Sequence, residues 1–179
     1  MNIDTVSFLY SRQEFYALLR LTGCQGIPFF PQEETLYQEG LQALEDSMLI
    51  SRSEKTVALD KVTAFLAYRV GKCTQCLCLT GEERFLGLFC AFDVSVLLRL
   101  QGQRWVLTPF RRYEQAVDSL RKLISRLSEL HTIHLQIGDC RFTRELPGGK
   151  EAKELILQTA QWVEERKIPS GKDAQLWRQ

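Results

Sequence analysis

The sequence predicts an α+β fold: a central antiparallel β-sheet flanked by helices, with a winged-helix-like N-terminal part. Three observations predict it. Lys72 to Phe110 (KCTQCLCLTGEERFLGLFCAFDVSVLLRLQGQRWVLTPF) holds four β-prone runs in succession, each bounded by turn residues. Arg111 to Leu130 then carries apolar residues at helical spacing against a charged opposite face. The chain before the strand block reads helix, helix, hairpin, helix.

Taken in order, Thr5 to Tyr10 (TVSFLY) is short, apolar and β-prone, a first strand or a lead-in segment. Ser11-Arg12-Gln13-Glu14 fits a capping box, in which a hydroxyl and a carboxylate satisfy two free amides at a helix start. Phe15, Leu18, Leu19 and Thr22 follow at helical spacing, and Gly23 suits a left-handed close. Gly26 to Pro31 is expected to be a loop, since two prolines there fix φ and remove donors. Gln32 to Met48 is the second predicted helix, with Leu36, Gly40, Leu41, Leu44 and Met48 inward. Glu33, Glu34, Glu39, Glu45 and Asp46 form its outer face, without a single lysine or arginine.

Leu49 to Asp60 alternates apolar and polar residues about Ser53-Glu54-Lys55, as a hairpin does. Asp60 suits the N-cap of a third helix running to about Val70, with Val62, Phe65, Leu66 and Arg69 or Val70 inward. In the strand block, Thr80 to Glu83 and Gln101-Gly102-Gln103 read as hairpin turns. Phe85 to Phe92 is apolar at both alternate sets, the mark of a central strand covered on both sides. Val96, Leu98 and Leu100 alternate with Ser95, Arg99 and Gln101, and Leu97 breaks the rule. In the following helix the stripe is Tyr113, Ala116, Val117, Leu120, Leu123, Ile124 and Leu127. Thr132 to Ile137 and Cys140 to Arg144 form a last hairpin about Gly138-Asp139. Lys150 to Lys167 is the final helix, with Leu155, Ile156, Thr159, Trp162 and Val163 inward. The expected organisation is one domain over 1–168 (1–71 helical and hairpin, 72–168 sheet plus helices) and a disordered polar tail over 169–179.

Composition narrows the function. Its 179 residues suffice for one core without staples. A formal net charge of +1 gives no overall field toward nucleic acid or anionic membrane. There is no apolar run long enough to span a bilayer, and the N-terminus lacks the features of a secretory signal. Five of the six cysteines lie in apolar or strand-like text and read as reduced core thiols, which points to the cytoplasm.

Motifs that carry chemistry are sparse. Cys73-x-x-Cys76-x-Cys78 lies along a predicted strand, where Cys76 and Cys78 share a face that Cys90 of the next strand can join, while Cys73 points away. A zinc site needs four converging ligands, so small buried hydrophobes are the expectation, and neither metal nor cofactor is expected. A thioredoxin-like motif would need a helix after Cys73-Thr74-Gln75-Cys76, and the text there is strand. His131 and His134, with Glu129 or Asp139, match no ligand spacing. Pro147-Gly148-Gly149-Lys150 lacks the rest of a P-loop. The N-terminal helix, helix, hairpin order suggests a winged helix, but its acidic second helix argues against a nucleic-acid partner, and Arg52 and Lys55 of the wing do not compensate. Arg99, Arg104, Arg111 and Arg112 form the candidate partner-binding group, a basic cluster expected at one end of the sheet block.

Over Phe15 to Leu127 the order of elements resembles the EspG-type chaperones of type VII secretion. The segments that carry it are FYALLRLTGCQGIPFFP, LQALEDSMLISRSEKTVALD, FLGLFCAFDVSVLLRLQGQRWVLTPF and RRYEQAVDSLRKLISRL. The resemblance implies a cytosolic, non-enzymatic protein that holds a helical secretion substrate. Family members are typically longer, with two related halves, and this chain corresponds to one half plus a C-terminal hairpin and helix. No binding residue transfers one by one.

Overall fold

A computed structural model describes residues 6–31, 36–54, 56–125 and 129–178. Among them, one seven-stranded antiparallel sheet carries the fold. Its strands are β1 (Phe8–Ser11), β6 (Gln75–Thr80), β7 (Phe85–Cys90), β8 (Ser95–Gln101), β9 (Arg104–Phe110), β10 (Thr132–Ile137) and β11 (Cys140–Glu145). They lie in the order β1-β9-β8-β7-β6-β10-β11. Strands β6 to β9 form a meander of hairpins, while β1 closes onto β9 and the β10–β11 hairpin onto β6. β7 is the middle strand, as its two apolar alternate sets predict.

Each face of the sheet has its own core because side chains alternate across a strand. Cys76, Cys78, Phe85, Phe89, Val96, Leu98 and Leu107 form the first face. They pack under α1 (Arg12–Leu21), α2 (Tyr37–Asp46) and α3 (Lys61–Gly71). Leu77, Leu79, Leu86, Leu88, Leu97, Ile133 and Leu135 form the second, beneath α4 (Tyr113–Ile124) and α5 (Gly149–Glu165). Leu97, which breaks the alternation of its strand, is therefore buried against the second layer of helices. Tyr113 on α4 donates its hydroxyl to the Ala160 carbonyl of α5 at 2.6 Å, tying these helices together.

The local signals that start the helices are realised. Ser11 accepts from the Glu14 amide and the Glu14 carboxylate accepts from the Ser11 amide, the full capping box. Asp60 caps α3 by accepting from the Thr63 amide at 2.8 Å. That hydrogen bond holds the Asp60 carboxyl below its usual pKa. Gly23 ends α1 at φ 76° and Gly102 turns the β8–β9 hairpin at φ 61°.

Several expectations need correction. The segment Gly26 to Pro31 is not an open loop: β2 (Gly26–Ile27) and β3 (Phe30–Pro31) form a miniature hairpin. Pro28 sits at its turn, where no ladder donor is needed. The second helix begins at Tyr37, and residues 32–35, with Glu33 and Glu34, lie outside the described residues, as do Lys55, Leu127 and Thr5. Met48 does not point inward: it sits at φ 56° beyond the end of α2 and is 89% exposed. The hairpin β4 (Ile50–Arg52) and β5 (Val57–Leu59) falls where the alternation places it. On α3 Leu66 and Val70 are buried as expected, together with Thr63 and Ala67, but Val62 and Phe65 of the expected stripe are turned toward solvent. The C-terminal tail is ordered through residue 178: Asp173–Leu176 forms a 3-10 turn, Trp177 is buried in the second core, and Arg178 bridges Thr143 of β11. A large aromatic ring supplies enough apolar area to hold a polar segment.

Candidate functional site

The four arginines of the candidate partner-binding group do not form one cluster. Arg104 opens β9 opposite Gln101, whereas Arg111 follows Phe110 at the other end of the strand, opposite Ser95. Six strand residues lie between the two and set them roughly 20 Å apart. Arg99 lies in β8 at the Arg104 end, and Arg111 and Arg112 are exposed just before α4. Proximity in sequence suggested a group that an extended strand pulls apart.

The cysteines separate as well. Cys76 pairs with Phe89, so Cys90, one residue on, faces the opposite side of the sheet and packs in the second core. The three-thiolate arrangement of Cys76, Cys78 and Cys90 is thus ruled out by strand parity. Cys73 precedes β6 and returns to the same core as Cys76 and Cys78, contrary to the expectation that it points away. Its thiol donates to the carbonyls of Gln75 (3.2 Å) and Cys90 (3.5 Å). The adjacent Cys76 thiol and burial push its pKa far up. In Cys76 the Cys73 thiol favours the thiolate, but the Cys78 thiol and burial outweigh it and the pKa rises. Thiols held protonated are poor nucleophiles and poor ligands. Among the described residues no three His, Cys, Asp or Glu side chains are disposed to hold a metal ion.

His134 is placed by β10 on the first face, half-buried between the rings of Phe29 and Phe30. Its two ring nitrogens meet the hydroxyls of Thr80 (3.2 Å) and Thr143 (3.1 Å), and burial lowers its pKa. These partners satisfy the ring without a metal. His131 and Asp139 are exposed, and Glu129 pairs with Arg84 at 3.2 Å. Gly148 and Gly149 serve as the start of α5.

Two surfaces carry no sequence motif. The first is the outward side of α3. Val62 (52% exposed), Phe65 (40%) and Tyr68 (46%) recur at three-residue spacing on one side, and Phe92, 99% exposed, projects from the β7–β8 turn. Arg69 joins them: its guanidinium lies 4.9 Å from the Phe65 ring centre and pairs with Asp93 at 2.6 Å. The helix carries Lys61 and Arg69 but no acidic residue. Arg111 and Arg112 stand at the same end of the sheet as Phe92, because Ser95, which follows that turn, pairs with Phe110. The sequence signal was present in the apolar positions Val62, Phe65 and Tyr68. The spacing places Val62 and Phe65 in the core because a helix with apolar residues on two sides gives no unique inward direction.

The second surface is a cleft of about 520 Å³ between the β2–β3 hairpin, the end of α3 and the β10–β11 hairpin. Ile27, Pro28, Phe29 and Phe30 give it an apolar wall, and Lys72, Arg141 and Gln136 supply polar groups. The Arg141 guanidinium lies 5.5 Å from the Phe29 ring centre. No residue lining the cleft is acidic. It is assembled from three separate stretches of chain, so no local pattern announced it.

No family model matches the chain and no curated protein matches it. Among the described residues no helix is long and apolar enough to cross a membrane.

Proposed function

We propose that this chain is a non-enzymatic cytoplasmic adaptor or chaperone that holds a helical protein partner, of the kind type VII secretion exports, against the outward side of α3. The observation that carries it is the exposed apolar side of that helix, Val62, Phe65 and Tyr68, continued by Phe92. Apolar side chains grouped this way are a surface that a partner covers. The basic residues around them select a partner whose apolar stripe is bordered by acids, because opposite charges guide encounter and fix register. Lys61 supplies that charge on the helix and Arg111 and Arg112 supply it beyond Phe92, while Arg69 is held by Asp93 at 2.6 Å. The resemblance to EspG-type chaperones supports the same reading.

A nucleic-acid-binding winged helix receives less support. The exposed positions of α2 are Gln38, Glu39, Gln42 and Asp46; none is basic, and the two carboxylates repel phosphate. The wing's Arg52 is engaged by Glu45 of the same helix at 3.4 Å.

Co-expression with the small helical proteins encoded beside the gene tests the reading. A stable complex is expected, and Phe65→Asp with Phe92→Ser is expected to abolish it while leaving the melting curve in place. Recovery of no partner by the folded protein, or a complex indifferent to that double variant, overturns the proposal.

A further inference from the structure

We infer that the cleft between the β2–β3 and β10–β11 hairpins is a binding site for a carboxylate that carries a neighbouring N–H donor and an apolar body. Such a unit is an N-acylated amino acid or the last residue of a peptide. The inference does not rest on the α3 surface, since the cleft is built from other side chains.

Three observations carry it. Lys72 and Arg141 bring two positive charges to a lining without a carboxylate, and neither has an ion-pair partner among the described residues. A planar guanidinium and an ammonium together suit a carboxylate. Next, Gln136 in this lining is 6% exposed and its Oε1 is buried with no hydrogen-bond partner. Its Nε2 donates to the Gly138 carbonyl at 3.1 Å, which fixes the orientation of the amide. Turning the amide over would set two carbonyl oxygens against each other, so the orphan atom is an acceptor that asks for an N–H or O–H. A buried acceptor without a donor is costly, and a ligand that supplies one removes that cost. Finally, Ile27, Pro28 and Phe29 offer an apolar wall beside these polar groups, and the cleft volume falls in the range of small-molecule sites. A simple inorganic anion would leave both the wall and Gln136 unused.

Calorimetry and two-dimensional NMR with N-acetylphenylalanine test the site. Binding is expected, with shifts at Gln136, Arg141 and Lys72. The methyl ester, without the charge, is expected to bind at least about tenfold more weakly, as is phenylpropanoate, which lacks the N–H. Arg141→Gln is expected to weaken binding about tenfold or more. Gln136→Leu is expected to erase the difference between the acid and phenylpropanoate, with thermal melting of each variant recording its fold. A free-carboxyl octapeptide ending in phenylalanine, compared with its amidated form, separates the two sources. A peptide bound more tightly than the small acid assigns the cleft to a protein C-terminus, and the reverse assigns it to a metabolite. The inference is overturned by no binding at millimolar acid, by an ester equal to the acid, or by inorganic phosphate binding more tightly than either.

Discussion

Helices α3 and α4 lie on opposite faces of one sheet and differ in what they turn to water. α4 buries Tyr113, Ala116, Leu120 and Ile124 and exposes Glu114, Gln115, Asp118, Arg121 and Lys122. Arg121 and Asp118 pair at 2.7 Å across one turn. α3 buries Thr63, Leu66, Ala67 and Val70 but exposes Val62, Phe65 and Tyr68. One helix spends its apolar residues entirely on its own core. The other has a second apolar side that folding leaves unused. A residue set that folding does not need, and that water does not favour, is where a binding role is to be sought.

The largest effect that tests this contrast is on the buried side of α4. Leu120→Ala is expected to cost about 2–5 kcal/mol in urea denaturation, as a truncation in a filled core does. A loss below about 0.5 kcal/mol would make Leu120 a surface position and undo the contrast. The α3 layer has an equally tight point. A Cβ on Gly40 of α2 would sit 2.1 Å from the Gln13 carbonyl of α1. Gly40→Ala is therefore expected to cost about 1–3 kcal/mol by overpacking, and an unchanged midpoint would show that the α1–α2 crossing is loose.

A smaller effect should come from His134. Burial lowers its pKa in the folded state, so between neutrality and the folded pKa the unfolded chain binds the extra proton. The stability linked to this ring is present above the ordinary histidine pKa and declines as pH falls through and below it. Denaturation midpoints at falling pH should show a decline that His134→Gln removes, and equal slopes in the two proteins would refute it. The smallest effect is expected on the outer side of α3. Phe65→Ser should change stability by less than about 0.5 kcal/mol while removing partner capture. A large destabilisation would make that face a structural one.

The same contrast explains what the sequence shows and what it hides. Where one pattern serves one demand, it is legible. The two-sided apolar text of β7 gives a central strand, the Ser11–Glu14 box gives a helix start, and the α4 stripe gives its inward side. Where two demands overlap, the reading slips. In α3, core and surface both call for apolar residues, and periodicity assigns Val62 and Phe65 inward where the fold turns them out. The arginines failed for a different reason: closeness in sequence is distance along a strand, so Arg104 and Arg111 stand at opposite ends of β9. Cys90 failed by a single step of parity. The cleft depends on Ile27, Lys72, Gln136 and Arg141 meeting through β-pairing far apart in the chain, which no short window contains.

Trp177 and the Arg178–Thr143 bridge also decide how sheets of two copies could meet. A growing fibre needs a free border on each side of the repeating unit, one to give and one to receive. Here the outer border of β11 is occupied at Thr143 by the chain's own Arg178, while β1 has no partner beyond β9 among the described residues. The C-terminal segment, anchored by Trp177 in the second core, thus guards one border of the sheet at Thr143 and leaves the β1 border open among the described residues.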